Sequence, residues 1–308
     1  MRVLVTGAAG YVGYAVGKRL VAAGHEVDGL IRKPDQRLPP GARPVIGDLL
    51  VPESIPSPYE GICHLAALTR VRESFADPLR FFTTNVQGTI NLLNAIPETR
   101  LVYGSTAAVY GTPERQPIPE TQAPSPSSPY GASKLAAEDL IRYHARTGAI
   151  TAVVLRTFNV AGSVDGRGDP DQTRLIPKAL AVAARHAPRL TINGDGAAVR
   201  EYLHVDDLAM AYVRALEATI PGRDQGEGHE ATYNVGSGSG ASVREVIDAV
   251  QEVTGREVPV QHNEPQPEPP LLISDSTAAR RDLAWAPERS ALHEIIQDSW
   301  AAIRAQDA

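Results

Sequence analysis

The first two dozen residues constrain this chain more than any other stretch. Val3, Leu4 and Val5 form a short apolar run ended by Thr6, then Gly7, Gly10 and Gly13 follow at three-residue spacing, and Tyr14 to Ala23 has the pattern of a helix. A buried parallel strand that feeds a helix through a tight glycine turn gathers free backbone N–H groups and the positive end of a helix dipole at one point, which suits a pyrophosphate. Gly7 permits the sharp turn, Gly10 lets a dinucleotide approach the backbone, and Gly13 lets helix and strand pack closely. A glycine triplet by itself also fits a loop that merely turns. Its place at the head of a βαβ pattern favours the dinucleotide.

That pattern continues. Glu26 to Ile31 reads as a second strand followed by Arg32 and Lys33, Val45 and Ile46 as a third with Asp48 beyond it, and Ile62 to Ala67 as a fourth that contains Cys63 and His64. His64 reads as a packed strand residue without a catalytic role. Leu79, Phe82, Val86, Ile90 and Leu93 give helical spacing over Pro78 to Ile96. Leu101 to Ser105 resumes the sheet, Tyr130 to Thr147 is helical again, and Ile150 to Thr157 closes the alternating series. Between them Thr112 to Pro129, dense in proline and serine, reads as a loop bordering a site.

The second half differs. Thr173 to Arg185, Asp206 to Thr219, Ser242 to Thr254 and Ala291 to Arg304 are helical in pattern, joined by short strands such as Leu190 to Ile192 and Thr232 to Val235. A glycine-rich stretch, Gly222 to Gly228, and a proline-rich one, Pro265 to Pro270, interrupt them. The composition shift at Asn159 to Gly168 divides the chain into a Rossmann-type, doubly wound parallel α/β unit over 1–160 and a smaller mixed α/β unit over 161–308, with the chain crossing between the two.

Composition limits the partners. A net charge of -6 argues against nucleic acid or an anionic membrane, which need Lys and Arg clustered over a wide face. Cys63 is the only cysteine, so no intramolecular disulfide and no cysteine metal cluster is expected. No apolar run approaches the length of a membrane span, no signal pattern opens the chain, and a cytoplasmic location is expected.

Tyr130 and Lys134 lie four apart on one predicted helix, so their side chains leave the same face one turn apart. An ammonium near a phenol favours the phenolate, and a nicotinamide cation adds to this, drawing the tyrosine down toward working pH. Such a tyrosine takes a proton from a sugar hydroxyl while hydride leaves the carbinol carbon.

At this point the chain resembles a known family. Thr6-Gly-Ala-Ala-Gly-Tyr-Val-Gly13, Leu65-Ala-Ala67, Asn85-Val-Gln-Gly-Thr89, Gly104-Ser-Thr-Ala-Ala-Val-Tyr-Gly111, Ser128-Pro-Tyr-Gly-Ala-Ser-Lys134, Arg156-Thr-Phe-Asn-Val160, Arg200-Glu-Tyr-Leu-His-Val-Asp-Asp207 and Tyr233-Asn-Val-Gly-Ser-Gly238 occur in order. Together they resemble the extended short-chain dehydrogenase/reductases of the NAD-dependent epimerase/dehydratase family, most of all the UDP-glucose 4-epimerases. The resemblance implies that Tyr130 is the base, Lys134 its electrostatic partner and nicotinamide-ribose ligand, and Thr106 the hydroxyl that meets the sugar O4. In the family mechanism C4 is oxidised to a 4-keto sugar that rotates and is reduced on its other face. By position, the cofactor would meet Gly7, Gly10, Tyr11, Val12 and Gly13 in the loop, Arg32 after the second strand, and Asp48 and Leu49 after the third. Leu65, Ala66 and Ala67 follow at the fourth strand end, then Asn85, Ser105, Tyr130 and Lys134. The sugar diphosphate would meet Thr106, Asn159, Arg174, Leu175 and Arg200. The helices Pro78 to Ile96 and Tyr130 to Thr147 resemble a pair that forms a dimer interface in relatives, which implies a homodimer.

Two departures from the family matter. Ile31, followed by Arg32, stands where related epimerases end the second strand with an aspartate, so NADP is possible beside NAD. A second phosphate-binding arginine is missing from the region that reads Pro265-Gln-Pro-Glu268. Arg174 adds a charge that replaces it at the phosphate, or that receives the carboxylate of a hexuronic acid unless Arg167 in the preceding loop does so, or that pairs with Asp169 or Asp171. Arg200 binds a phosphate or pairs with Glu201 or Asp206. Ala107 and Ala108 stand where 4,6-dehydratases carry Asp-Glu and decarboxylases a glutamate. An NADP-dependent 4-ketoreductase and, more remotely, a non-catalytic dinucleotide sensor remain as alternatives.

Overall fold

The computed structural model describes residues 1–218, 230–265 and 268–306. The glycine-rich stretch Gly222 to Gly228 therefore lies outside the described residues, as do Gln266 and Pro267.

Seven parallel strands form the main sheet: β1 (Arg2–Thr6), β2 (Glu26–Ile31), β3 (Arg43–Ile46), β4 (Gly61–His64), β5 (Thr99–Thr106), β6 (Ile150–Thr157) and, from the second half of the chain, Glu230–Val235. Helices cross between them: α1 (Tyr11–Ala22), α2 (Val71–Ala76), α3 (Pro78–Phe82), α4 (Gly88–Ala95) and α5 (Pro129–Ala145). The series thus closes one strand later than the sequence suggests. Glu230–Val235 pairs with β6 along its whole length, an edge register that no local pattern records. Successive strand residues alternate between two cores, Val3 and Val5 toward α1 on one face and Leu4 toward α4 and α5 on the other. Strand order reverses at β1, whose neighbours are β2 and β4, and the crevice beyond the carboxyl ends at such a switch point is where α/β sheets hold ligands.

After β6 the strands shorten. β7 (Asn159–Ala161), β8 (Ser163–Val164) and β9 (Arg167–Gly168) lead to α6 (Leu175–Ala183), β10 (Leu190–Asn193), β11 (Val199–His204) and α7 (Val205–Glu217). The seventh strand of the main sheet is β12 (Glu230–Val235), followed by β13 (Gly240–Ser242), α8 (Val243–Thr254), β14 (Val260–Asn263), β15 (Leu271–Leu272), α9 (Thr277–Asp282) and α10 (Leu292–Gln306). β11 anchors a small mixed sheet, parallel to β7 and β15 and antiparallel to β13, while α6, α8 and α10 enclose a separate core around Ile176, Leu180, Val250 and Ile295. α7 packs on α1 against the main sheet. Among the described residues no helix is long and apolar enough to cross a membrane.

Candidate active site

The loop after β1 has the geometry its glycines predict. Gly7 adopts φ 70°, and a Cβ there would lie 2.9 Å from Ala66 N; a Cβ on Gly13 would lie 2.1 Å from the Gly7 carbonyl oxygen. α1 begins at Tyr11, three residues before the expected start, with Gly10 as its N-cap, no side-chain cap and no acidic residue in its first turn. The open amides and positive dipole end therefore suit an anion, and the cradle fits a dinucleotide pyrophosphate. Arg167 lies against this loop, donating to the Ala9 carbonyl at 2.9 Å and stacking on Tyr14. Its guanidinium is thus engaged with the loop.

β4 stops at His64, short of the expected Ala67, because Thr6 Oγ1 accepts from both the Leu65 and Ala66 amides, each at 3.1 Å, and so bends the chain toward the loop. Thr89 donates to the Asn85 carbonyl and must accept from His64 Nε2, which leaves His64 Nδ1 to accept from Thr6. Burial holds this imidazole neutral, its pKa down at about 3, and His64 is the packed strand residue expected. The helix expected over Pro78 to Ile96 passes through a π turn at Thr83–Gln87 that contains Asn85. Its carboxamide accepts from Leu68 N and donates to Leu68 O and to Ser133 Oγ, which fastens the strand-end loop to α5.

α5 opens on Ser128 as N-cap with Pro129 in its first turn, one residue before the expected start at Tyr130. Its inward face carries Tyr130, Lys134 and Glu138, all buried. The Thr106 hydroxyl at the end of β5 lies against the Tyr130 phenol, and Thr106 Oγ1 accepts from Ala108 N at 3.1 Å. Burial raises the Tyr130 pKa above its ordinary value, opposed by the Thr106 hydrogen bond and by the charge of Arg174. The expected downward pull of Lys134 is not what the protein alone supplies. Its ammonium lies 4.0 Å from the Tyr103 ring centroid, and burial lowers its own pKa to about 7 against the opposing charge of Glu138. Ser105 donates inward to Glu138, which directs its side chain beneath α5.

The third-strand end is fixed by its own loop: Asp48 accepts from Leu50 N at 2.9 Å, and Leu49 is buried with its carbonyl held by Asn91. Arg32 is exposed after β2, its backbone N–H donating to Gln36. At the other side of the cleft Arg174 is the N-cap of α6, and its guanidinium donates to the buried Asp169 at 2.9 Å and lies 3.7 Å from Asp171. Leu175 is the first residue of that helix, which starts later than expected because Thr173 is held by Asp171. Asn159 donates to the Glu201 carbonyl at 3.1 Å. Arg200 pairs with neither Glu201 nor Asp206; its partner is Glu268 at 2.8 Å. Glu201 is committed to Gly238 and Ser274, Asp206 to Arg19 and Arg289. Glu138 and Arg156 were not legible as site residues, although an arginine inside the apolar run of β6 signals a buried anion opposite.

Residues 3–236 match the model of the NAD dependent epimerase/dehydratase family. The chain belongs to this family. It is similar to the UDP-glucose 4-epimerase of Corynebacterium glutamicum, 37% identical over 98% of this chain and 95% of the relative. The crystal structure of the Brucella ovis UDP-glucose 4-epimerase in complex with NAD superposes with a TM-score of 0.88 at 31% identity, covering 97% of each chain. MoeE5 in complex with UDP-glucuronic acid and NAD superposes with a TM-score of 0.86 at 29% identity, over 99% of this chain and 100% of that one.

Proposed function

We propose that this protein is a nucleotide-sugar 4-epimerase of the UDP-glucose/UDP-galactose type. The observation that carries the reading is the Tyr130 phenol against the Thr106 hydroxyl, one turn from Lys134, at the carboxyl edge of the sheet and across the crevice from the glycine cradle. A bound nicotinamide dinucleotide supplies a reversible hydride acceptor. Tyr130 takes the proton of the sugar C4 hydroxyl as C4 is oxidised and returns it after the 4-keto sugar has presented its other face. Thr106 orients that hydroxyl, and Lys134, when charged, stabilises the phenolate. Arg200 and Arg174 serve the diphosphate in this reading by charge-assisted hydrogen bonds. Residues 1–160 hold the dinucleotide and 161–308 mainly the nucleotide sugar, with α7 and β12 returning to the first unit. Assaying a panel of nucleotide sugars for interconversion, with mass spectrometry of the released cofactor, tests this; no interconversion of any 4-epimer pair refutes it.

NAD is the cofactor that the family supports, and Arg32 extends the reading to NADP because no carboxylate at Ile31 repels a 2′-phosphate. Titrating apo-protein with both dinucleotides decides it, and a preference unchanged in Arg32→Ala removes that side chain from the account. A homodimer is part of the reading, supported by Phe75, Leu79 and Tyr143 exposed on α2, α3 and α5, and so is a cytoplasmic location. A hexuronate substrate is the second reading, favoured by Arg174, whose charge reaches Tyr130.

A further inference from the structure

Glu138 lies one turn beyond Lys134, so Tyr130, Lys134 and Glu138 run in a line down the inward face of α5. A carboxylate that is 2% exposed has to be paired or lose its charge. Arg156 on β6 reaches both of its oxygens, Nη2 to Oε2 at 2.7 Å and Nε to each at 3.2 Å, and Ser105 Oγ donates to Oε1. Arg156 is fixed in turn by Tyr110, whose hydroxyl accepts from Nη1 at 3.0 Å and donates to Asn234 at 2.7 Å. The carboxylate therefore has one orientation. Arg156 holds this anion directly, and Lys134, the second buried cation, lies one turn away from it on the same face of α5. A guanidinium keeps its proton at any working pH, whereas an ammonium gives it up when buried, so Lys134 is the member whose charge can change.

We infer that Glu138 is a positioning residue of this site: clamped by Arg156 and Ser105, its carboxylate keeps Lys134 protonated above the Tyr103 ring and so maintains a positive charge one turn from Tyr130. The placement of the clamped carboxylate one turn from Lys134 stands on the geometry; the link to turnover rests on the proposed function. Burial lowers Lys134 to about 7 and Glu138 is the force opposing it. The other titratable groups around the line are Tyr103 and Tyr130, phenols whose pKa burial raises, His64, held neutral, Tyr110, and Arg156, a cation. None of these is an anion that could take the place of Glu138.

The sequence holds four lysines, Lys18, Lys33, Lys134 and Lys178, so NMR of the purified enzyme labelled at lysine Cε resolves each titration, and Lys134→Met assigns the one of interest. In Glu138→Gln the Lys134 midpoint is expected to fall by about one pH unit or more, and kcat above neutral pH to fall by about ten-fold with little change in KM. Glu138→Asp should restore the midpoint to within about half a unit. Where Glu138→Gln does not fold, Glu138→Gln/Arg156→Met is compared with Arg156→Met, and the midpoint should be lower in the double variant. An unchanged midpoint in a folded variant lacking the carboxylate overturns the inference, even if turnover collapses. A lowered midpoint in a protein that interconverts no nucleotide sugar supports it and refutes the proposed function instead.

Discussion

The inward face of α5 and the arginines at the mouth of the cleft solve the same electrostatic problem in opposite ways. Tyr130, Lys134 and Glu138 are 8%, 3% and 2% exposed. The side chains of Arg174 and Arg200 are 43% and 16% exposed. Glu138 on the helix is held at both oxygens by groups of the main sheet, so nothing there has to move for a sugar hydroxyl to meet the phenol. The arginines are already paired with Asp169 and Glu268, and a phosphate or carboxylate can reach them only by exchange. On the proposed function the reacting groups would be prebuilt, while recognition would proceed by swapping one anion for another. Exchange yields less net affinity than a free guanidinium would, because the old pair is lost as the new one forms.

The largest effect should follow from breaking the prebuilt side. Tyr130→Phe removes one hydroxyl that faces Thr106 and leaves the ring, its edge contact with Phe81 and the helix unchanged. Folding by circular dichroism and the bound dinucleotide should be preserved, and kcat should fall by roughly 10²- to 10⁴-fold, the usual contribution of a general base. A variant that keeps more than half of wild-type turnover would remove Tyr130 from the reaction.

How far these two regions could be read without coordinates follows the same division. β2 and β6 are read to the residue, because interior parallel strands bury both faces, and α5 is read to within two residues at each end. β11 has no apolar alternation to read, because its buried positions include the charged or polar Glu201 and His204 beside Leu203, while Arg200 and Tyr202 are half-buried. β7, β13 and β15 are too short to show any period. In the site, Thr106, Tyr130 and Lys134 lie in contiguous motifs, and the structure gathers them at one edge. Glu138 looks like an ordinary solvated helix charge until Arg156 and Ser105 are brought over it by tertiary packing. The partners of Arg174 lie within five residues and were among the alternatives considered, whereas Glu268 is distant in sequence from Arg200 and had no local signal.

The next prediction sharpens the recognition side. Arg174→Asn should reduce kcat/KM about 10- to 100-fold if the guanidinium leaves Asp169 for a substrate anion, since a charge-assisted hydrogen bond contributes about 1.5–3 kcal/mol. A phosphate partner makes UDP-hexoses and UDP-hexuronates suffer alike, and a carboxylate partner confines the loss to hexuronates. Equal kcat/KM for wild type and variant with both substrates would show that Arg174 stays with Asp169 throughout.

The smallest effect concerns Glu268, and its sign separates exchange from a fixed scaffold. Glu268 accepts from Arg200 Nη2 at 2.8 Å, with its own side chain 45% exposed. An ion pair this open to water contributes about 0–1 kcal/mol. If a diphosphate takes the guanidinium, that amount is lost on binding, and a Glu268→Gln substitution removes the competitor without removing the arginine. KM for the nucleotide sugar should then fall by up to about five-fold while kcat is unchanged, because on the proposed function Arg200 meets the diphosphate and not the reacting hydroxyl. Raising salt should shrink the difference between wild type and variant, since the competing pair is screened along with the incoming phosphate. The alternative is that Glu268 holds Arg200 in the orientation that the diphosphate needs, in which case neutralising it raises KM. Steady-state kinetics of Glu268→Gln at low and moderate salt distinguishes the two, and a raised KM would mean that this arginine, like the face of α5, is prebuilt and that the contrast drawn between the two regions holds for Arg174 alone.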